Sequence, residues 1–338
     1  MKTRDKVLLG TVAGVGLAWG ARQLLRARRR ITLDDKVVVV TGASTGHGLI
    51  VARQAAEGGA RLVLAARDEA TLRAAEADLI AHGARDVLAV PTDVADPDQC
   101  NRLIDHAIRR HGRVDILVNN AGIIQVGPVE TMTIEDFRAA LATNFWGAVY
   151  CTLAVLPHMQ ARRFGRIANV VSVGGKMPVP HLLPYTSSKF ALAGFTKGLR
   201  TEVAKDGILV TGIYPSTMRT GGHAHAWIKG RAEAEYAMFA LSDTIPGVSA
   251  SAEHVARALW RAVLDGDPEV NVGWQANLRA PLDALFPSWS AETLALLGAA
   301  LPRASGPMPA IRGEHVPGRV AEWLTRQVPA PARPGTSG

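Results

Sequence analysis

The chain predicts an α/β protein built on a doubly wound parallel sheet of about seven strands, with a helical extension at its C-terminal end. Three observations predict it. Short β-branched runs alternate with longer helix-period stretches from residue 36 to about 215, as a parallel sheet with helices on both faces requires. The runs are nearly continuous in apolar residues, as strands buried on both faces are. The first of them ends in a glycine-rich turn that opens a helix. No repeat at solenoid spacing interrupts this pattern.

The first strand, 36–41, is Lys-Val-Val-Val-Val-Thr, and Thr41-Gly42-Ala43-Ser44-Thr45-Gly46-His47-Gly48 carries it into a helix over 46–58. Glycines there let the backbone approach a diphosphate closely, and the helix start offers N–H groups that have no partner within the helix. The spacing is G-x-x-x-G-x-G rather than the commoner G-x-G-x-x-G. The turn assigns Gly42, Ser44, Thr45, Gly46, His47 and Gly48 to a dinucleotide. The second strand, 61–66, ends at Arg67, and Asp68 comes only afterwards. A carboxylate at that strand end binds a ribose 2′-hydroxyl, whereas an arginine accommodates a 2′-phosphate. NADP(H) is therefore expected in preference to NAD(H).

A helix over 68–82 precedes the third strand, 86–91, which is followed by Thr92-Asp93-Val94. Asp93 either accepts from an adenine amino group or caps the helix over 97–112. The fourth strand, 114–118, runs into Asn119-Asn120-Ala121-Gly122, which puts polar amides at the strand end where ligands bind in open α/β sheets. A helix over 134–162, a strand at 166–171, a helix over 184–205 and strands at 207–213 and 269–273 complete the series. Right-handed crossovers then place the cofactor at the carboxyl ends of the strands.

Tyr185 and Lys189 stand four residues apart at the start of the 184–205 helix, with Ser172 upstream. Positions i and i+4 share a helix face, so a phenol and an ammonium lie one above the other. A phenol with an ordinary pKa of ~10 is a poor proton donor at neutral pH. A neighbouring cation favours the phenolate and brings the proton within reach of acid–base chemistry.

Taken together, these motifs resemble the short-chain dehydrogenase/reductase family in its single-domain form. The resemblance rests on TGxxxGxG at 41–48, NNAG at 119–122, Asn144 in Thr-Asn-Phe-Trp-Gly, Ser172 in Val-Val-Ser-Val-Gly-Gly, and Tyr185 with Lys189. To these it adds Tyr214-Pro215-Ser216-Thr217-Met218-Arg219-Thr220 after the sixth strand. It implies a Rossmann-like catalytic domain over 34–275. By composition that domain lies between an N-terminal hydrophobic and basic segment (1–30) and a C-terminal helical extension whose Pro-, Ala- and Gly-rich tail is expected to be disordered (276–338). The resemblance implies a catalytic set of Asn144, Ser172, Tyr185 and Lys189. Tyr185 exchanges a proton with the substrate oxygen, and Lys189 lowers the Tyr185 pKa and binds the nicotinamide ribose. Ser172 orients the substrate oxygen, and Asn144 holds a helix kink and a water. Cofactor contacts implied beyond the glycine turn and Arg67 are Asp93, Val94, Asn120, Ala121, Gly122, Tyr185, Lys189, Pro215, Thr217, Met218 and Thr220. Two residues depart from the family's pattern: His47 replaces an aliphatic residue, and Ser216 a glycine.

The implied activity is NADP(H)-dependent interconversion of a carbonyl and a secondary alcohol. A catalytically silent dinucleotide-binding scaffold or sensor is the alternative from another class, and the intact Ser172, Tyr185 and Lys189 speak against it. An NAD-dependent dehydrogenase is the nearer alternative. An epimerase or dehydratase fits the single-domain pattern less well.

The net charge of +8 does not argue for nucleic acid. Residues 1–30 hold eight Lys and Arg against Asp5 alone, so the rest of the chain is close to neutral and offers no basic face for a phosphate backbone. Within that segment Val7–Ala21 has no charged side chain, short of the ~20 residues that a spanning helix needs unless Arg22 snorkels and extends it to Leu25. A membrane anchor, a cleavable signal peptide and an amphipathic surface helix compete, and Ala18-Trp19-Gly20 resembles a small-x-small cleavage site. The arginines immediately downstream favour an anchor with the catalytic domain in the cytoplasm. A soluble cytoplasmic enzyme is the alternative.

Cys100 and Cys151 give no disulfide framework. His223 and His225 have no further ligand cluster near them in sequence, so no metal site is expected. The pocket wall, read as Ile124, Gln125, Val126, Val173, Met177, Val179 and Leu182 facing Trp227, Tyr236, Met238 and Phe239 in a lid over 216–250, is mostly apolar. It points to a lipophilic ketone or alcohol. Residues 281–301 read as one or two apolar helices that cover the pocket, join a subunit interface or lie on a bilayer. A homo-oligomer built through the fourth and fifth helices is implied by the family resemblance.

Overall fold

The computed structural model describes residues 16–17, 19–219, 221–244, 249–304, 306, 308–318 and 332–335. The valine run forms β1 (Val37–Thr41), every residue of it buried. Around it lie β2 (Arg61–Ala66), β3 (Val87–Pro91), β4 (Ile116–Asn119), β5 (Gly165–Val170), β6 (Ile208–Pro215) and β7 (Glu269–Val272). The order β7-β6-β5-β4-β1-β2-β3 is parallel throughout. The order reverses between β1 and β4, and that switch point opens a crevice at their carboxyl ends.

Helices cover both faces. On one, α1 (Gly46–Glu57) packs through Leu49, Val51, Ala52 and Ala55 against Val255, Leu259 and Val263 of α7 (Ala252–Asp265). Trp260 of α7 joins them and donates its indole N–H to the Val51 carbonyl at 3.1 Å. α2 (Glu69–Ala81) flanks this layer. On the other face, Cys100, Leu103 and Ile104 of α3 (Pro97–His111) meet Cys151, Val155 and Met159 of α4 (Ile134–Arg162). α5 (Leu183–Val203) lies beside α4. Each large side chain so buried contributes about 1.5–3 kcal/mol. Cys100 and Cys151 are free and buried, and a hydrogen bond with Cys100, together with burial, pushes the Cys151 thiol up.

Two buried polar networks fix the sheet against these helices. Asp115 accepts from the Val37 amide at 3.0 Å, Arg113 at 2.9 Å and Arg162 at 2.7 Å. Nearer the crevice, Asn119 donates to Asn169 at 2.9 Å, and Asn169 to Thr196 at 2.9 Å. These amides tie β4 to β5 and β5 to α5, because an unpaired buried amide would cost stability.

Beyond β6 the chain builds a cover. Met218–Arg219 pairs with Ala250–Ser251, and Trp227–Ile228 lies between Gln125–Val126 and Ile311–Arg312 in a second small sheet. α6 (Ala232–Thr244) follows. The expected apolar helices are α8 (Ala280–Leu285) and α9 (Pro287–Ala299), with Leu285, Phe286, Trp289 and Leu296 exposed. In the C-terminal tail, Ala332, Arg333 and Gly335 hydrogen-bond to the body. Ala332 accepts from Gly46 N–H at 2.8 Å, Arg333 O accepts from Arg53, and Gly335 N–H donates to Asp78.

Most of the expected anchor, residues 1–15 with Ala18, lies outside the described residues. Residues 19–29 are helical. Arg26 pairs with Asp265 at 2.7 Å and Asp267 at 3.0 Å, and Arg22 with Asp267 at 3.6 Å, so this end of the segment is held on the body. Among the described residues one helix, Ile134–Arg162, is long and apolar enough to cross a membrane, and it is the α4 of the core.

Candidate active site

The glycine turn is held by close backbone approach. Gly42 and Gly46 have φ of +65° and +58°, conformations that glycine adopts without strain. A Cβ on Gly48 would stand 2.0 Å from the Gly42 carbonyl oxygen, whereas one on Gly46 would meet nothing within 4 Å. The turn therefore closes inward on α1, while the first N–H of that helix, on Gly46, is taken by the Ala332 carbonyl at 2.8 Å rather than left free. Asn120 N–H and Ala121 N–H donate to Thr41 Oγ1 at 3.0 and 3.1 Å. Asn120 Nδ2 donates back to the Thr41 and Gly42 carbonyls at 3.0 and 3.2 Å. The two motifs thus form one unit across β1 and β4.

One cleft of about 560 Å³ runs over this unit, lined at successive points by Gly42, Ser44, Thr45, Gly46, His47 and Gly48, then Arg67, Asp93, Val94, Asn120, Ala121 and Gly122. Asp68 lines it beside Arg67, and Ser172, Tyr185, Lys189, Pro215, Ser216, Thr217 and Met218 line its further end. Thr220 lies outside the described residues. At one end Arg67 is exposed at the mouth. Asp68 accepts from the Thr71 amide at 2.8 Å as the N-cap of α2, so its carboxylate is turned to the helix. Asp93 accepts from the Ala95 amide at 3.0 Å in a tight turn, and the cap of α3 falls to Asp96 instead. Of the two roles open to Asp93, capping is thereby taken by its neighbour.

The other end gathers the acid–base groups. Asn144 sits in a π-helical turn, Ala142–Trp146, within α4. It accepts from Ile123 N–H at 2.8 Å and donates to the Ile123 carbonyl at 3.0 Å and Ser188 Oγ at 2.9 Å. Ser188 donates to the Tyr185 carbonyl at 2.7 Å, so Asn144 joins the loop after β4 to the first turn of α5. Lys189 is buried and donates to the Val170 carbonyl at 2.9 Å. Burial lowers its ammonium to about 8, because desolvation disfavours the charged form. Its Nζ lies 5.6 Å from the Tyr185 ring centroid. A Cβ on Gly174 would stand 3.4 Å from Tyr185 Cε1 and 3.5 Å from Ser172 Oγ, so both side chains border that glycine. Ser172 Oγ accepts from Gly174 N–H at 3.0 Å.

Ser216, the second departure from the family's pattern, is buried, and a Cβ on Gly273 would stand 1.9 Å from its Oγ. Gly273, at φ +98°, makes room for the serine. On the substrate side Ile124, Val173, Val179, Leu182 and Phe239 line the cleft. Val126 and Tyr236 are instead packed into the core under the cover, Met177 lies in another apolar cluster, and Gln125 donates to the Asp136 carbonyl. Neither Trp227 nor Met238 is among the lining residues. Arg312 and His225 line it too, and Arg312 stacks 4.4 Å above Trp227. Nothing local marks Arg312, since a short edge strand from the C-terminal extension brings it there.

The model of the short chain dehydrogenase family matches residues 36–229. The chain belongs to the short-chain dehydrogenase/reductase family. This oxidoreductase is 36% identical over 261 residues to an uncharacterized oxidoreductase, YxnA, of Bacillus subtilis, covering 75% of this chain and 70% of that one. A short-chain dehydrogenase structure from Streptomyces avermitilis superposes with a TM-score of 0.67 at 30% identity, over 78% of this chain and 98% of that one. The L-sorbose reductase of Gluconobacter frateurii, solved with NADPH and L-sorbose, superposes with a TM-score of 0.64 at 28% identity, over 71% and 95%. The enzyme's fold is that of a nicotinamide dinucleotide-binding oxidoreductase. Among the described residues no group of three His, Cys, Asp or Glu is placed to hold a metal ion.

Proposed function

We propose that the protein is an NADP(H)-dependent reductase or dehydrogenase that interconverts a carbonyl and a secondary alcohol on a lipophilic substrate. The convergence of Ser172, Tyr185 and Lys189 on one end of a cleft whose other end is the glycine turn carries this reading. The cleft fits a dinucleotide: its volume suits one, Gly46 leaves open the space that a side chain would fill, and the His47 imidazole presents a buried nitrogen with no protein partner among the described residues. When bound, the cofactor supplies or receives the hydride. Tyr185 holds the proton exchanged with the substrate oxygen, Ser172 orients that oxygen and stabilises charge developing on it, and Lys189 favours the phenolate. Asn144 positions Lys189 through Ser188 and the first turn of α5.

Arg67 supports NADP(H): it lines the cleft and is exposed at its mouth, while Asp68 beside it lends one carboxylate oxygen to the cap of α2. The lining residues Ile124, Val173, Val179, Leu182 and Phe239 support a lipophilic substrate. Exposed Trp146, Leu153, Leu183 and Phe190 on α4 and α5 support a homo-oligomer through those helices. Exposed Leu17, Trp19, Leu24 and Leu25 support association of the N-terminal segment with a membrane, the catalytic body lying in the cytoplasm. Mixing the protein with NADPH or NADH and a panel of hydrophobic ketones, and following loss of the reduced nicotinamide absorbance, tests the activity. Oxidation with NADPH well above NADH is expected; no oxidation with any ketone, nor reduction of NADP with the matching alcohols, sinks it.

A further inference from the structure

The His47 side chain is buried, yet only one of its ring nitrogens has a protein partner among the described residues. Its Nδ1 lies 2.8 Å from Asn120 Oδ1. Both hydrogens of the Asn120 amide are committed, one to the Thr41 carbonyl and one to the Gly42 carbonyl, so the oxygen must be the atom that faces the imidazole. An amide oxygen only accepts, and the proton between them is therefore on Nδ1. In the neutral ring that leaves Nε2 as a bare lone pair, buried and with no hydrogen-bond partner among the described residues. Burial also lowers the His47 pKa. A buried acceptor left unmade costs stability, and such atoms in a native structure point to a missing ligand or water.

The surroundings say which part of a ligand reaches it. His47 lines the cleft and is anchored to Asn120, two residues before Gly122. A Cβ on Gly122 would lie 3.1 Å from Asn144 Oδ1 and 3.8 Å from Lys189 Nζ. Through Asn120 the imidazole is tied to the loop after β4 whose Gly122 borders Asn144 and Lys189. We infer that His47 is a cofactor-positioning residue whose Nε2 accepts a hydrogen bond from a donor on the nicotinamide riboside half of the dinucleotide, a ribose hydroxyl or the carboxamide N–H. This rests on the dinucleotide reading above and adds a polar contact that an aliphatic residue at this position lacks.

Two near-isosteres separate the nitrogens. His47→Asn keeps a donor for Asn120 but has no acceptor at the Nε2 position, whereas His47→Gln keeps an acceptor there and gives up the link to Asn120. Dissociation constants measured by quenching of protein fluorescence, with NADPH and with adenosine 2′,5′-bisphosphate, should show NADPH binding weakened about tenfold in His47→Asn and largely retained in His47→Gln. Binding of the bisphosphate should be unchanged in both. In the wild type, the 15N resonance of His47 Nε2 should be that of an unprotonated nitrogen and should shift on NADPH addition without gaining a proton. Unchanged NADPH affinity in His47→Asn, equal weakening for the bisphosphate, or a protonated Nε2 in the complex overturns the inference. Failure of the wild type to bind either nucleotide would instead sink the dinucleotide reading itself.

Discussion

Lys189 lies one helical turn from Tyr185, with its Nζ 5.6 Å from the tyrosine ring centroid and 2.9 Å from the Val170 carbonyl that holds it. No carboxylate within ion-pair distance offsets this buried charge among the described residues, and burial alone accounts for the fall of its pKa to about 8. The ammonium is thus kept by the fold at a cost, beside the one phenol in the cleft.

That cost has a sign. The unfolded lysine keeps its proton up to about 10.4, so between about 8 and that value the unfolded chain binds more protons and stability rises with pH. Denaturant unfolding should show a gain of up to about 3 kcal/mol from this group over that window. Lys189→Met should flatten the rise, lose turnover and remain folded at neutral pH.

Arg67→Ala removes a guanidinium from the mouth of the cleft without touching the core. The KM for NADPH should rise about tenfold, as for the loss of one charge-assisted contact, with that for NADH unchanged. Equal use of the two cofactors before and after the change contradicts the assignment of the 2′-phosphate end.

The two glycines of the turn should respond very differently to a methyl group. Gly48→Ala drives a Cβ against the Gly42 carbonyl oxygen, where neither backbone can yield, and should lower stability by more than about 3 kcal/mol. Gly46→Ala meets open space and should cost only the roughly 1 kcal/mol of its left-handed backbone. Thermal unfolding of the two variants checks the order.

Asp115→Asn should destabilise the protein by about 3 kcal/mol at neutral pH, because Arg113 and Arg162 then lose their buried carboxylate. Burial pushes this carboxyl up, but the Val37 amide and both arginines outweigh it and hold it below the ordinary value. Its contribution is present above the ordinary carboxylate range and is lost as pH falls through the folded value. The gap between wild type and variant should therefore close in acid.

The sheet was legible because the strands are short β-branched runs with few alternatives, and all seven lie within a few residues of their expected positions. The glycine turn and the Tyr185–Lys189 pair were legible because each needs fixed residue types at fixed spacing. At Asn144 the family resemblance implied a helix kink but not its π-helical form, since α-helical and π-helical turns share one sequence pattern. Asp93 and Asp96 are equally plausible caps by type, and only backbone geometry gives the cap to Asp96. Arg312 was hidden for another reason: a two-residue strand pairing across more than eighty positions leaves no local signal.

The measurement that bears most directly on the central claim compares Tyr185→Phe with the wild type in two assays on the same preparation. Removing only the phenolic oxygen should leave the NADPH dissociation constant within about threefold while kcat falls by roughly a thousandfold, the share expected of a positioned proton donor. Turnover retained near the wild-type rate with a normal NADPH affinity would contradict it.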